Sequence, residues 1–142
     1  MDWNLVSDAI ADLAREATGI VALEFVPDEL PNEALYVGEI DAEFDQTFRR
    51  RQGSTRKGTD QATLTIRILV ARSTDKFALK KLREYMGGSG LKSVAQALAN
   101  DRTLKGTVHD SHLKRMRGNR MFDVGGSKFY GVELDLFVIG DA

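Results

Sequence analysis

The sequence predicts an α+β fold: a largely antiparallel sheet with an N-terminal helix and two central helices packed on one face. Three observations predict it. Long stretches alternate apolar and polar residues with a period of two, as half-buried strands require. Helical three- and four-residue spacing is confined to the amino terminus and the middle of the chain. A long glycine-bearing polar run joins two consecutive alternating segments, as in an antiparallel pair with an extended tip.

The elements follow in order. In "MDWNLVSDAIADLAREATG", Leu5, Val6, Ala9, Ile10, Leu13 and Ala17 recur at helical steps over residues 4–17, and Gly19 is a natural stop. "IVALEFV" (20–26) is rich in β-branched and aromatic residues and reads as a strand ending at Pro27. Pro27 and Pro31 bracket a turn or short linker within the domain. From Leu35 to Phe48 the chain alternates strictly, placing Tyr36, Ile40, Ala42 and Phe44 on one side and Glu39, Asp41, Glu43 and Asp45 on the other. A long hairpin loop at about 46–60 leads to "ATLTIRILVAR" (62–72), whose apolar face is Leu64, Ile66, Ile68 and Val70.

"STDKFALKKLREYMGGSG" reads as a helix capped by Ser73 or Thr74 and ended by its glycines. Phe77, Leu79, Leu82 and Tyr85 supply its apolar positions, and "LKSVAQALAND" is a second, shorter helix. "GTVHDSHLKRMR" and "RMFDVGG" flank Gly118-Asn119, a hairpin signal, and "SKFYGVELDLFVIG" closes the chain. Its Tyr130, Val132, Leu134, Leu136 and Val138 share one face, with Glu133 and Asp135 on the other. The second sheet face then carries Glu39, Asp41, Glu43, Arg67, Glu133 and Asp135, and must meet water or a polar partner.

Composition bounds the function. A chain of 142 residues is most simply one domain spanning 1–142, and 42% hydrophobic with 29% charged residues suits an ordinary globular protein. A formal charge of −1 gives no whole-molecule attraction to nucleic acid or membrane, so electrostatic function must be local. Without cysteine there are no disulfides, thiolate metal sites or cysteine nucleophiles. The acidic, amphipathic amino terminus is expected to be neither a signal peptide nor a membrane span.

Chemical motifs are weak. The carboxylates at 39, 41, 43 and 45 form a line, whereas a bound metal needs ligands that converge, so no metal is expected. His109 and His112 face opposite ways on a strand. The serines show no nucleophile elbow, and "GGSG" (87–90) lacks the lysine and spacing of a phosphate-binding loop. A small enzyme with an acidic site is therefore the weakest class, with no catalytic residue or cofactor expected.

The remaining feature is the switch within "EIDAEFDQTFRRRQGSTRKG" (39–58) from an acidic strand to a loop carrying Arg49, Arg50, Arg51, Arg56 and Lys57. Such cations can hold phosphates, which makes a small nucleic-acid-binding module one reading. Phe48 is the only nearby ring, so a stacking platform is not indicated. Opposite signs on one segment also suit a repeated contact between copies, the arm of one meeting the acidic strand of the next.

The amino-terminal helix, "FDQTF" with its glycine-bearing loop, and "ATLTIRILVAR" resemble the tail terminator (tail completion) proteins of long-tailed bacteriophages, especially phages of actinobacteria. "REYMGGSGLKSVAQALANDRTLKGTV" and the closing "RMFDVGGSKFYGVELDLFVIG" extend the likeness over most of the chain. The resemblance implies a virion protein without enzymatic activity or cofactor. It implies a homo-hexameric ring that caps the last tail-tube ring, stops polymerisation and joins the head-side connector or stopper protein. Phage DNA would pass through the lumen without sequence recognition, and no membrane is involved. The implied location is the tail and neck of the virion, and the host cytoplasm during assembly. A head-side connector or stopper is the nearest alternative. The resemblance leaves open whether the basic loop and the acidic face meet lumen, neighbour or tube.

Overall fold

A computed structural model describes residues 1–23, 33–44, 59–71 and 75–141. They form an α+β fold: helix α1 (Trp3–Thr18), strands β1 (Ala22–Leu23), β2 (Glu33–Phe44) and β3 (Thr59–Ala71), helices α2 (Asp75–Met86) and α3 (Val94–Ala99), then strands β4 (Asp110–Val124) and β5 (Ser127–Asp141). The sheet order is β1-β2-β3-β5-β4. All pairs are antiparallel except the two-residue β1, which runs parallel to β2. Among the described residues no helix is long and apolar enough to cross a membrane.

The three helices share one face of the sheet. Val6, Ile10 and Ala14 of α1, Ala78, Leu82 and Tyr85 of α2, and Val94 and Leu98 of α3 pack on Leu64, Ile66, Ile68, Val132, Leu134, Leu136 and Val138. Removing this apolar surface from water is the main drive for the architecture. Asp2 caps α1 by accepting from the Asn4 and Leu5 amides, and Gly19 ends it with a left-handed backbone. The buried arc of α1 is rotated from the expected one: it includes Ser7, Ala11 and Ala14, while Leu5 is exposed and Ala17 also faces out. Phe77, expected on the apolar stripe of α2, is exposed as well.

Three further expectations are corrected. First, the hairpin turn is Gly125–Gly126, and Gly118-Asn119 lies within β4. Val124 pairs with Ser127, and both glycines of the two-residue loop have positive φ, as a tight right-twisting hairpin demands. Gly118 sits instead at a register shift against the helical layer, where a Cβ would come within 2.3 Å of the Met86 methyl. "GTVH" lies in turns ahead of β4, which begins at Asp110.

Second, Tyr36 does not share a face with Ile40, Ala42 and Phe44. One extra residue shifts the register between Val37 and Glu39, inverting the faces on either side of Gly38. Leu35 and Val37 join the main core, while Tyr36 packs with Leu69 and Phe129 in a small second core on the opposite face. Gly131 belongs to that packing too, since a Cβ there would meet Leu69 and Phe122 at 2.5 Å.

Third, the half-buried alternation expected of this strand does not put Ile40 and Phe44 in the core: they point to the helical side but beyond its cover, and are exposed. The strand expected over 20–26 is described only as Ala22–Leu23, and 24–26 lie outside the described residues. So do Ser73 and Thr74, and most of the long loop, residues 45–58; Thr59 and Asp60 already belong to β3.

Candidate assembly surface

The sheet face away from the helices carries the charges. Its rows follow from register, because directly paired residues of antiparallel strands point the same way. Glu39 pairs with Thr65, Asp41 with Thr63 and Glu43 with Gln61. Thr65 pairs with Asp135 and Arg67 with Glu133. On the far side, Asp135 pairs with Arg115 and Glu133 with Arg117. A charged band thus crosses four strands, acidic on β2 and basic on β4.

Glu133 and Asp135, expected to meet water or a partner, are instead buried beneath arginines of their own chain. Arg117 grips Asp135 with both terminal nitrogens, at 2.6 and 3.1 Å. Arg120 donates to Glu133 at 2.7 Å, and Arg67 reaches the same carboxylate at 3.4 Å. Arg115 lies 3.8 Å from Asp135. Paired guanidinium forks are what make burial of two neighbouring carboxylates tolerable. The hydrogen bonds to Asp135 hold the Arg117 guanidinium above its usual pKa. For Arg67 burial pulls the pKa down, but Tyr36 and Glu133 outweigh it and the net shift is upward.

Around this neutralised centre the edges are open to solvent. Glu39 is 76% exposed and only 3.6 Å from Arg67, and Asp41 and Glu43 are exposed too. On β4, Arg115 and Arg120 are 64% and 58% exposed. Lys114, also exposed, extends over the Phe137 ring at 4.6 Å. A shallow cavity of about 180 Å³ lies between the two signs, lined by Asp41, Glu43, Thr63, Lys114 and Phe137.

Of the residues singled out from the sequence, Glu39, Asp41 and Glu43 fall on one exposed row. Asp45, Arg49, Arg50, Arg51, Arg56 and Lys57 lie outside the described residues. Lys114, Arg115, Arg117 and Arg120 went unrecognised. The run "LKRMRGNR" holds the signal, but reading Gly118-Asn119 as a turn divides it between two strands.

Other sites offer less convergence. A cavity of about 380 Å³ between α3 and β4 is lined mainly by apolar groups such as Leu98 and Leu113. Its cation, Arg102, is engaged with Asp110 at 2.7 Å and the Ser111 carbonyl. His109 contacts Asp141, while His112 packs on Phe137. Among the described residues no group of three His, Asp or Glu side chains could hold a metal ion. No protein-family model matches the chain and no curated protein matches it, so the charged face must be interpreted from its own geometry.

Proposed function

We propose that this chain is a ring-forming structural protein of a bacteriophage tail: a terminator, structural rather than catalytic, that caps the tail tube and joins it to the head. The observation that carries the reading is an open sheet whose two edges bear opposite charge on one face. A surface of that kind suits repeated head-to-tail contact between identical copies, which closes into a ring when the rotation permits. The pattern resemblance supplies the hexamer, the tail tube and head-side connector as partners, and DNA passage through the lumen.

Deletion of the coding sequence from the phage tests it. Tails that grow abnormally long, or that fail to join filled heads, are the expected outcome. Tails of normal length that join heads refute the terminator role, and filled heads that leak DNA reassign the chain as a stopper. A second reading, a nucleic-acid-binding module, is favoured by the exposed Lys114, Arg115 and Arg120 on one edge strand. It predicts duplex-DNA affinity that falls steeply with salt and is independent of self-association.

A further inference from the structure

We infer that β4 of one copy pairs with the Glu39–Phe44 half of β2 in the next copy, continuing the sheet, with arginines facing carboxylates across the seam. The inference deepens the ring-forming role and rests on it for the partner being a second copy of this chain.

The topology permits this join without inversion. From β2 through β3 and β5 to β4 every neighbour is antiparallel, so β2 and β4 run in opposite directions. A copy displaced sideways, with the same face outward, therefore presents its β2 antiparallel to β4. Main-chain ladder bonds can form and the charged faces stay on one side. Both edges are available along the seam among the described residues: β4 is last in the sheet, and β1 pairs only with Leu35 and Tyr36, so the new ladder runs along Glu39–Phe44 and ends near Arg120, where β1 begins. A twisted sheet continued in this way rotates from copy to copy, which is how such contacts generate rings.

Charge fixes the stagger. Without one, Glu39 falls level with Arg115, and Glu43 falls level with Asp110, a like-charge clash. Sliding the incoming β2 by two same-face rungs sets Glu39 opposite Arg120, Asp41 opposite Arg117 and Glu43 opposite Arg115. All three pairs are then complementary, and the stagger is of the kind that closed sheets require. The other side of the seam is apolar: Ile40 and Phe44 on β2, and Met121 on β4, are exposed large hydrophobic residues directed toward the helical side. The contact would cover them as it neutralises the opposite face.

The test is a charge swap in the full chain. One variant carries Glu43→Lys; the other carries Lys114→Glu and Arg115→Glu. Of the carboxylate contacts, the latter pair removes only the 3.8 Å one of Arg115 with Asp135 and keeps Arg117 and Arg120, the arginines hydrogen-bonded to Asp135 and Glu133. Circular dichroism and thermal melting verify that both fold. By sedimentation, each variant alone should associate roughly 100-fold more weakly than wild type. An equimolar mixture should recover assembly, because Glu43→Lys of one copy then meets Arg115→Glu of the next while the pairs of Glu39 with Arg120 and Asp41 with Arg117 are kept. As a second measurement, Glu43→Cys with Arg115→Cys, in a chain without native cysteine, should form only intermolecular disulfides on mild oxidation.

The inference is overturned if either variant assembles like wild type, or if the folded mixture stays monomeric. It is also overturned if the wild type is monomeric even at millimolar concentration, or if Lys114 and Arg115 govern DNA binding while self-association is untouched. Failure of the broader role looks different. Assembly through these edges, together with normal tails in the deletion phage, removes the terminator reading and leaves the seam intact. Aberrant tails in the deletion phage with charge-swapped variants that still assemble do the reverse.

Discussion

Glu33, at the start of β2, shows how single side chains join the layers. It accepts hydrogen bonds from Lys81 and from the Tyr85 hydroxyl, both on α2. Burial alone would raise its pKa, but these donors outweigh it and the net shift is downward from 4.5. Burial, reinforced by the Glu33 carboxylate, pushes the Tyr85 hydroxyl well above its ordinary pKa. A carboxylate with a depressed folded pKa stabilises above its unfolded pKa and ceases to do so as pH falls through the folded value. Glu33→Gln should therefore cost about 1 kcal/mol at neutral pH, Lys81 being half exposed. The difference from wild type should vanish well below pH 4.5, which urea titrations at the two pH values measure. At Glu133 and Asp135 the logic is different, since their arginines lie on neighbouring strands and hold the sheet together across its width.

Among the elements, β4 departs most from its sequence pattern, and its hairpin gives a direct check. Gly126 has φ of +81° in the turn to β5. Gly126→Ala should destabilise by about 1 kcal/mol, because alanine resists that backbone conformation. Gly125→Asn should be close to neutral, since asparagine is favoured at the first position of such a turn. Equal melting temperatures for wild type and Gly126→Ala would return the turn to Gly118-Asn119. The strands and helices themselves were legible because burial imposes a period: Leu64, Ile66 and Ile68, or Ala78, Leu82 and Tyr85, are where that period puts them. The irregularities were not. Alternation cannot show which residue is skipped at a bulge, so the flip at Gly38 and the shifts around Lys114 and Gly118-Asn119 left no readable mark. Gly-Asn and Gly-Gly are both good turn signals; the pairing of Val124 with Ser127 puts the turn at Gly125–Gly126 and leaves Gly118 within β4 beside Met86.

At the scale of the whole molecule, a near-neutral chain separates its charges by strand, and assembly becomes the property to measure. Contacts among exposed groups such as Glu39, Arg115 and Arg120 are screened over a Debye length of about 8 Å at physiological ionic strength. Self-association should therefore weaken as salt rises from a few tens of millimolar toward molar. The monomer's melting temperature should move much less, because Glu133 and Asp135 are paired within the sheet under little water. Sedimentation and melting across one salt series separate the two. Salt-insensitive association would assign the contact to the apolar side of the seam, at Ile40, Phe44 and Met121.

The sequence alone determined the α+β class, the helices on one face, and the exposed row of Glu39, Asp41 and Glu43, because each is written in local periodicity. Only the tertiary structure decided that Tyr36 leaves the main core and that Ile40 and Phe44 are exposed. It also brought Arg115, Arg117 and Arg120 over Asp135 and Glu133. These outcomes depend on strand order and register, which are fixed by packing between segments distant in the chain rather than by any pattern within one of them.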